Sequence, residues 1–140
     1  TGLNHITLSV KSLSESFVFY RDVLGFKPLL KNNKSAYFLV GDLWFCIEED
    51  PSVRANELPE YTHIAFSVDQ RDFDVIQDKM DAYQVKRFKE NKSEGDSIYF
   101  VDPNGHKLEI HVGSWTTRVK SYLGDPKCEF YISEDELRRL

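Results

Sequence analysis

Two histidines stand at matching places in two similar strings. Asn4 to Val10 reads NHITLSV, and Thr62 to Val68 reads THIAFSV. A lone histidine on a strand is usually structural, but two at equivalent positions point to ligation. A third candidate lies in KLEIHV (107–112). There Glu109 and His111 share one face, while Leu108, Ile110 and Val112 take the other. A carboxylate in such a strand must neutralise, pair or bind a metal. If His5, His63 and Glu109 converge, they form a two-imidazole, one-carboxylate set. That set suits a divalent first-row metal and leaves positions open for a substrate. The alternative for Glu109 is an ion pair with Lys107 or Arg118. Cys46 is a further candidate ligand, one that would favour zinc. His106, in a hairpin, is expected to be exposed, and His111 to support the ligands from outside.

A second stretch, KENKSEGDSIYF (89–100), is a polar loop too long for a simple turn. Lys86, Arg87, Lys89 and Lys92 cluster just before and within it, either as a solvated face or as an anion site. The formal net charge of −5 argues against a nucleic-acid partner for this cluster.

The elements that must position these residues come as a repeat. Both His strings alternate with the strand period, so His5, Thr7 and Ser9 face one way and Ile6, Leu8 and Val10 the other. After the first string, Ser14 is the expected N-cap, Phe17, Tyr20 and Leu24 recur at helical spacing, and Gly25 suits the C-terminal cap. After the second, Phe73, Ile76, Met80 and Tyr83 form one helical stripe. Strands follow at 35–40 and 43–49, joined by Gly41-Asp42, and at 97–102 and 107–112, joined by Pro103-Asn104-Gly105. Segments 26–31 and 85–89 are the weaker candidates for the remaining strand of each half. The fold class is therefore α+β, with two βαβββ modules at about 1–56 and 57–113, related by a pseudo-twofold axis. Residues 114–140 form a tail, helical near 116–122, whose charged end reads as a solvated or frayed helix.

The 140 residues are enough for one domain with a real core, and ten Phe, seven Tyr and two Trp supply large buried areas. Two cysteines without CxxC spacing fit a reduced compartment. No apolar run reaches membrane length and no signal peptide is seen, so a cytoplasmic location is expected.

The segments GLNHITLSV, FYRDVLGF, LWFCI, YTHIAF, KENKSEGDSIYF and DPNGHKLEIHVG together resemble the vicinal oxygen chelate superfamily. That superfamily includes glyoxalase I, extradiol dioxygenases, bleomycin-binding proteins and fosfomycin-resistance enzymes. The chain is most similar to the fosfomycin-resistance thiol transferases, in their glutathione-using branch. The resemblance covers nearly all of residues 2–113, with Arg118 just beyond, and the NKSEGDSIYF string is its most specific part. It implies a cupped mixed sheet around a metal site of His5, His63 and Glu109, filled by Mn2+. It implies a domain-swapped homodimer in which His5 meets His63 and Glu109 of a second copy. It implies K+ held by Asn91, Ser93, Gly95 and Ser97, with Glu94 nearby. Lys89, Ser93, Tyr99 and Arg118 would hold the phosphonate of fosfomycin, with Thr7 and Trp44 beside the substrate and Tyr37 near the attacking thiol. Thr7, Tyr37 and Arg118 would then be the catalytic side chains.

The implied chemistry is coherent. A divalent cation can bind a phosphonate oxygen and the epoxide oxygen, and act as Lewis acid when the ring opens. Lys89 and Arg118 would offset the phosphonate charge. In the bacillithiol-using branch a Cys commonly stands where Thr7 does, so Thr7 leans towards glutathione. A branch that adds water needs an extra carboxylate before Tyr37, where this chain has Ser35 and Ala36. Lys34 could pair with a glutathione carboxylate; Glu48 would not. The competing readings are a metal-free drug-binding protein of the bleomycin-resistance kind, a glyoxalase, and a fosfomycin hydrolase.

Overall fold

The computed structural model describes residues 1–140. The first half runs β1 (His5–Val10), α1 (Leu13–Val18), which continues as a π-helical turn over Phe19–Val23, then β2 (Lys27–Lys31), β3 (Ser35–Val40) and β4 (Leu43–Glu49). The second half runs β5 (Ile64–Ser67), α2 (Gln70–Ala82), β6 (Arg87–Lys89), β7 (Ser97–Val101) and β8 (Lys107–His111). Two helices complete the chain, α3 (Trp115–Ser121) and α4 (Glu134–Arg139). The predicted repeat is present, and both weaker strand candidates form.

Each half folds its four strands into one sheet, ordered β1-β4-β3-β2 and β5-β8-β7-β6. The outer pairs β1/β4 and β5/β8 are parallel, and the others antiparallel. The registers match between halves. Thr7 and Tyr37 both pair with Cys46; Ala65 and Tyr99 both pair with Glu109. Cys46 and Glu109 are thus equivalent positions, as are Tyr37 and Tyr99.

Strand alternation gives each sheet one apolar face, and the two faces build a common core. Val10, Phe38, Phe45 and Ile47 from the first sheet, and Phe66, Phe100, Leu108 and Ile110 from the second, belong to one buried cluster with the helices. Aromatic contacts cross between halves: Phe26 and Phe45 pack on Phe66 at 4.9 and 5.7 Å, and Phe19 on Phe100 at 6.3 Å. The opposite faces carry the candidate ligands, and α3 borders the one that holds Glu109.

Several local expectations need correction. Ser12, not Ser14, caps α1 by accepting from Glu15 N, because the helix must already have begun at the buried Leu13. The α2 stripe keeps Phe73, Ile76 and Met80 but loses Tyr83, which stands beyond the last helical residue and is 57% exposed. The C-terminal segment is not merely a solvated helix. Ser133 caps α4, and Leu137 is fully buried.

His106 is the largest departure: it is buried rather than exposed. The hairpin that carries it folds against the first half instead of into solvent. His106 Nε2 donates to the Ser9 carbonyl at 2.8 Å, and Lys11 N donates to Asn104 Oδ1 at 3.3 Å. The organising group is Asp102, itself buried. Its Oδ1 accepts from Asn104 N and His106 N, both at 2.9 Å, and its Oδ2 accepts from the Tyr20 hydroxyl at 2.7 Å. Burial, and then the charge of Asp102, hold the Tyr20 phenol well above its ordinary pKa, so it remains a donor. Gly105 has φ +85°, and a Cβ there would run into the backbone of Asn56 and Glu57. Tyr20→Phe should therefore lower stability by about 1–3 kcal/mol, since it leaves a buried carboxylate oxygen without its donor. Urea unfolding measures this, and an unchanged midpoint would show that Asp102 finds another partner.

Candidate active site

The open face of the second sheet gathers most of the predicted groups. His63, just before β5, points Nε2 at Glu109 Oε1 on β8, at 3.0 Å. Glu109 is 6% exposed, and no lysine or arginine pairs with it. The ion pairs considered for it do not form. Lys107 donates to the Glu60 carbonyl, and Arg118 pairs with Glu94. The second Glu109 oxygen accepts from Ser97 Oγ at 2.7 Å. Ser97 Oγ also lies 2.7 Å from His111 Nδ1, which places His111 behind Glu109.

The tautomers favour ligation. His63 Nδ1 donates to the Tyr61 carbonyl at 2.9 Å, and His5 Nδ1 donates to Asn4 Oδ1 at 2.6 Å. The His5 ring then presents Nε2 as a lone pair, as metal-binding imidazoles do, while His63 Nε2 faces the Glu109 carboxylate, so a proton or a cation must lie between them. A nearly buried carboxylate facing such a nitrogen, with its other oxygen held by a hydroxyl, is a donor set that fits a divalent ion. The third ligand is not brought to it within one chain. His5 lies on the first sheet, and no three His, Cys, Asp or Glu side chains converge as a metal centre.

On the first sheet, His5 packs against the half-exposed Trp44 at 4.5 Å, and Tyr37 meets Trp44 edge-on at 5.4 Å. Thr7 is exposed beside them and bonds to the thiol of Cys46. Burial raises the Cys46 pKa; the Thr7 bond opposes that shift and Glu48 adds to it. Cys46 is thus a protonated, 4%-exposed thiol and a poor metal ligand. Lys34 lies 3.8 Å from Glu48, so the two charges on this face partly answer each other.

The polar loop flanks Glu109. Lys89, paired in register with Tyr99, donates to the Tyr61 hydroxyl at 2.6 Å and lies over the Tyr61 and Tyr99 rings at 4.5 and 4.8 Å. The Tyr61 bond raises the Lys89 pKa, so it stays cationic. Asn91 closes the loop: its Nδ2 donates to the Gly95 carbonyl at 2.7 Å, and its Oδ1 accepts from Ser93 N and Oγ. Gly95 has φ +75°, and a Cβ there would meet the Val112 carbonyl. Ser97 does not turn its hydroxyl towards this loop, since it serves Glu109 and His111.

Arg118 projects from α3, whose start is fixed by a capping box at Ser114 and Thr117. Its Nε donates to Glu94 Oε2 at 3.2 Å, and its Nη2 to Ser93 Oγ at 3.1 Å and the Glu94 carbonyl at 3.3 Å, leaving Nη1 free. Burial opposes its charge, but the Glu94 carboxylate and the nearby Tyr122 hydroxyl outweigh that and raise its pKa. A cavity of about 290 Å³ opens between Glu109, His111, Trp115 and Arg118.

Two supports escaped the sequence reading. Asn4 orients His5, and Tyr61 orients His63 through its carbonyl and Lys89 through its hydroxyl. Each immediately precedes, or lies two residues before, its histidine. That proximity was the available signal.

Comparison with known proteins gives the family. Residues 2–110 match the family model described as Glyoxalase/Bleomycin resistance protein/Dioxygenase superfamily. The chain belongs to that superfamily, within its fosfomycin-resistance group. It is 39% identical to glutathione transferase FosA of Serratia marcescens, over 96% of this chain and 97% of that one. It is equally 39% identical to metallothiol transferase FosB of Staphylococcus haemolyticus, over 94% and 98%. A mutant of fosfomycin resistance protein FosX from Listeria monocytogenes, crystallised with Mn(II) and 1S,2S-dihydroxypropylphosphonic acid, superposes with a TM-score of 0.73. It shares 31% identity, covering 85% of this chain and 98% of that one.

The state of Cys46 is directly measurable. In the native protein at neutral pH it should react with iodoacetamide on the order of tenfold or more slowly than in urea. Peptide mass spectrometry follows the labelling, and equal rates would mean an accessible thiolate.

Proposed function

We propose that this protein opens the epoxide of fosfomycin by thiol addition, with a divalent metal and with glutathione as the preferred thiol. The observation that carries the reading is the pairing of His63 Nε2 with the buried Glu109, flanked by Lys89 and Tyr99 on one side and Arg118 and Ser93 on the other. A carboxylate-imidazole pair beside two cations suits a metal-bound anion better than an apolar drug, which favours the enzyme over the bleomycin-binding reading.

His5, His63 and Glu109 would hold the divalent ion, Mn2+ in this reading. It would supply Lewis acidity at the epoxide oxygen. Lys89, Ser93, Tyr99 and the free edge of Arg118 would bind and orient the phosphonate by charge-assisted hydrogen bonds. Thr7 and Trp44 would wall the substrate, and Tyr37 would donate to the thiolate sulfur. Oxygens of Asn91, Ser93, Gly95 and Ser97 would hold K+, adding positive charge beside the phosphonate.

Equal identity to a glutathione transferase and to metallothiol transferases leaves the thiol to local features. Thr7 in place of a cysteine favours glutathione, with Lys34 available to its carboxylate. The lack of a carboxylate at Ser35 and Ala36 favours thiol over water. A cytoplasmic location fits this reading, because small thiols are abundant there; no helix is long and apolar enough to cross a membrane.

Fosfomycin incubated with Mn2+, K+ and the protein should give a glutathione adduct detectable by mass spectrometry, and a diol only at background. Adduct with another thiol alone would overturn the glutathione assignment, and diol alone the transfer reaction. Lys89→Ala should lower kcat/KM roughly 10- to 100-fold, as expected for one charge-assisted hydrogen bond, with unfolding little changed.

The divided ligand set supports a homodimer in which His5 of one protomer completes the site of its partner. His5→Ala and Glu109→Ala proteins should each be inactive. After being unfolded and refolded together they should regain roughly a quarter of wild-type activity, because half of the dimers are mixed and each keeps one intact site. No recovery would place all three ligands in one chain.

A further inference from the structure

We infer that His111 is a positioning residue for Glu109, acting through the hydroxyl of Ser97. This rests on the reading of His63 and Glu109 as metal ligands. Three groups form a bent chain on the central part of the second sheet: His111 Nδ1, Ser97 Oγ and Glu109 Oε2, with both steps 2.7 Å and the two ends 3.7 Å apart. Ser97 has a single hydroxyl proton, which it donates to the carboxylate. Its oxygen must then accept from His111, which fixes that imidazole as the Nδ1–H tautomer. The chain of donation runs from His111 to Ser97 to Glu109, and each bond strengthens the next.

The chain has a rigid seat. His111 pairs in register with Ser97 on one side and Ser67 on the other, and its carbonyl accepts from Val68 N at 3.0 Å. Its ring is held between two glycines. A Cβ on Gly95 would lie 2.9 Å from Cε1, and one on Gly113 would lie 2.7 Å from Nε2. Both glycines have positive φ, +75° and +144°, so the loop and the strand end pass close on either side of the ring. The His111 and Glu109 side chains are only 14% and 7% exposed, so water does not readily replace the relay.

The consequence is directional. With Oε2 engaged by Ser97, the carboxylate cannot rotate, and Oε1 is held towards His63 Nε2. The relay therefore preorganises one ligand oxygen before any metal arrives. Ser97 does this with its side chain, a task distinct from any that its backbone performs in the polar loop.

The test is the affinity of the purified protein for Mn2+, read by electron paramagnetic resonance of the free ion, without substrate. Ser97→Ala and His111→Phe should each weaken binding roughly 10- to 100-fold, the usual cost of losing an outer partner of a metal ligand. His111→Asn, whose amide can still donate to Ser97, should return most of the affinity. The double variant Ser97→Ala with His111→Phe should lose little more than either alone. Thermal unfolding of the metal-free variants separates ligand positioning from general destabilisation. A loss in His63→Ala with none in Ser97→Ala and His111→Phe would overturn the relay alone. No loss in His63→Ala would overturn the metal reading, and the relay with it.

Discussion

The chain depends on one buried carboxylate that joins its two halves. Asp102 is accepted into the core because every oxygen has donors: two backbone amides on Oδ1 and the Tyr20 phenol on Oδ2. An unpaired charge there would cost several kcal/mol. In satisfying itself it shapes the turn that carries Asn104 and His106, and those reach across to the backbone of Lys11 and Ser9. The end of β1 is thereby tied to the second half, and β1 is the strand that carries His5 and Thr7. Packing of Phe66 against Phe26 and Phe45 supplies the area, but the hydrogen bonds supply the register.

With the apolar faces turned inward to one core, the chemical faces must turn outward. They end up on two separate surfaces of the same molecule. One holds an imidazole, a hydroxyl and two aromatic rings; the other an imidazole, a carboxylate and the cations. Neither surface alone has the groups to ligate a metal and bind its substrate. This separation follows from strand alternation in a duplicated sheet, and the homodimer proposed above would reunite the surfaces.

Much of this could be read from the sequence. The two His strings, the helical stripes and the hairpins gave the order of the elements, because periodicity and turn chemistry are local. His63 was legible because the repeat matches it to His5, and Glu109 because a carboxylate stands in an alternating strand. His106 was not. Its surroundings, Pro103-Asn104-Gly105, describe a turn equally well whether that turn faces water or the other module, and only packing decides. Ser97 was read both as the start of a strand and as a K+ ligand, but neither reading showed that the alternation of β7 turns its hydroxyl to Glu109. The support of His63 by Tyr61 uses a backbone carbonyl, which no residue type reveals. Ser14 and Ser12 are equally good caps by composition, and the burial of Leu13 chose between them.

The equivalence of Cys46 and Glu109 has a consequence for how such a duplicated frame can change. The two copies began with the same geometric opportunities, and function depends on their having become unequal. One frame position carries a carboxylate, and its twin carries a small buried thiol that stays neutral. In the proposed metal site, a carboxylate in both would add a fourth protein ligand and close the position that a substrate must occupy. Symmetry built the scaffold, and the loss of symmetry at this one pair is what keeps it reactive.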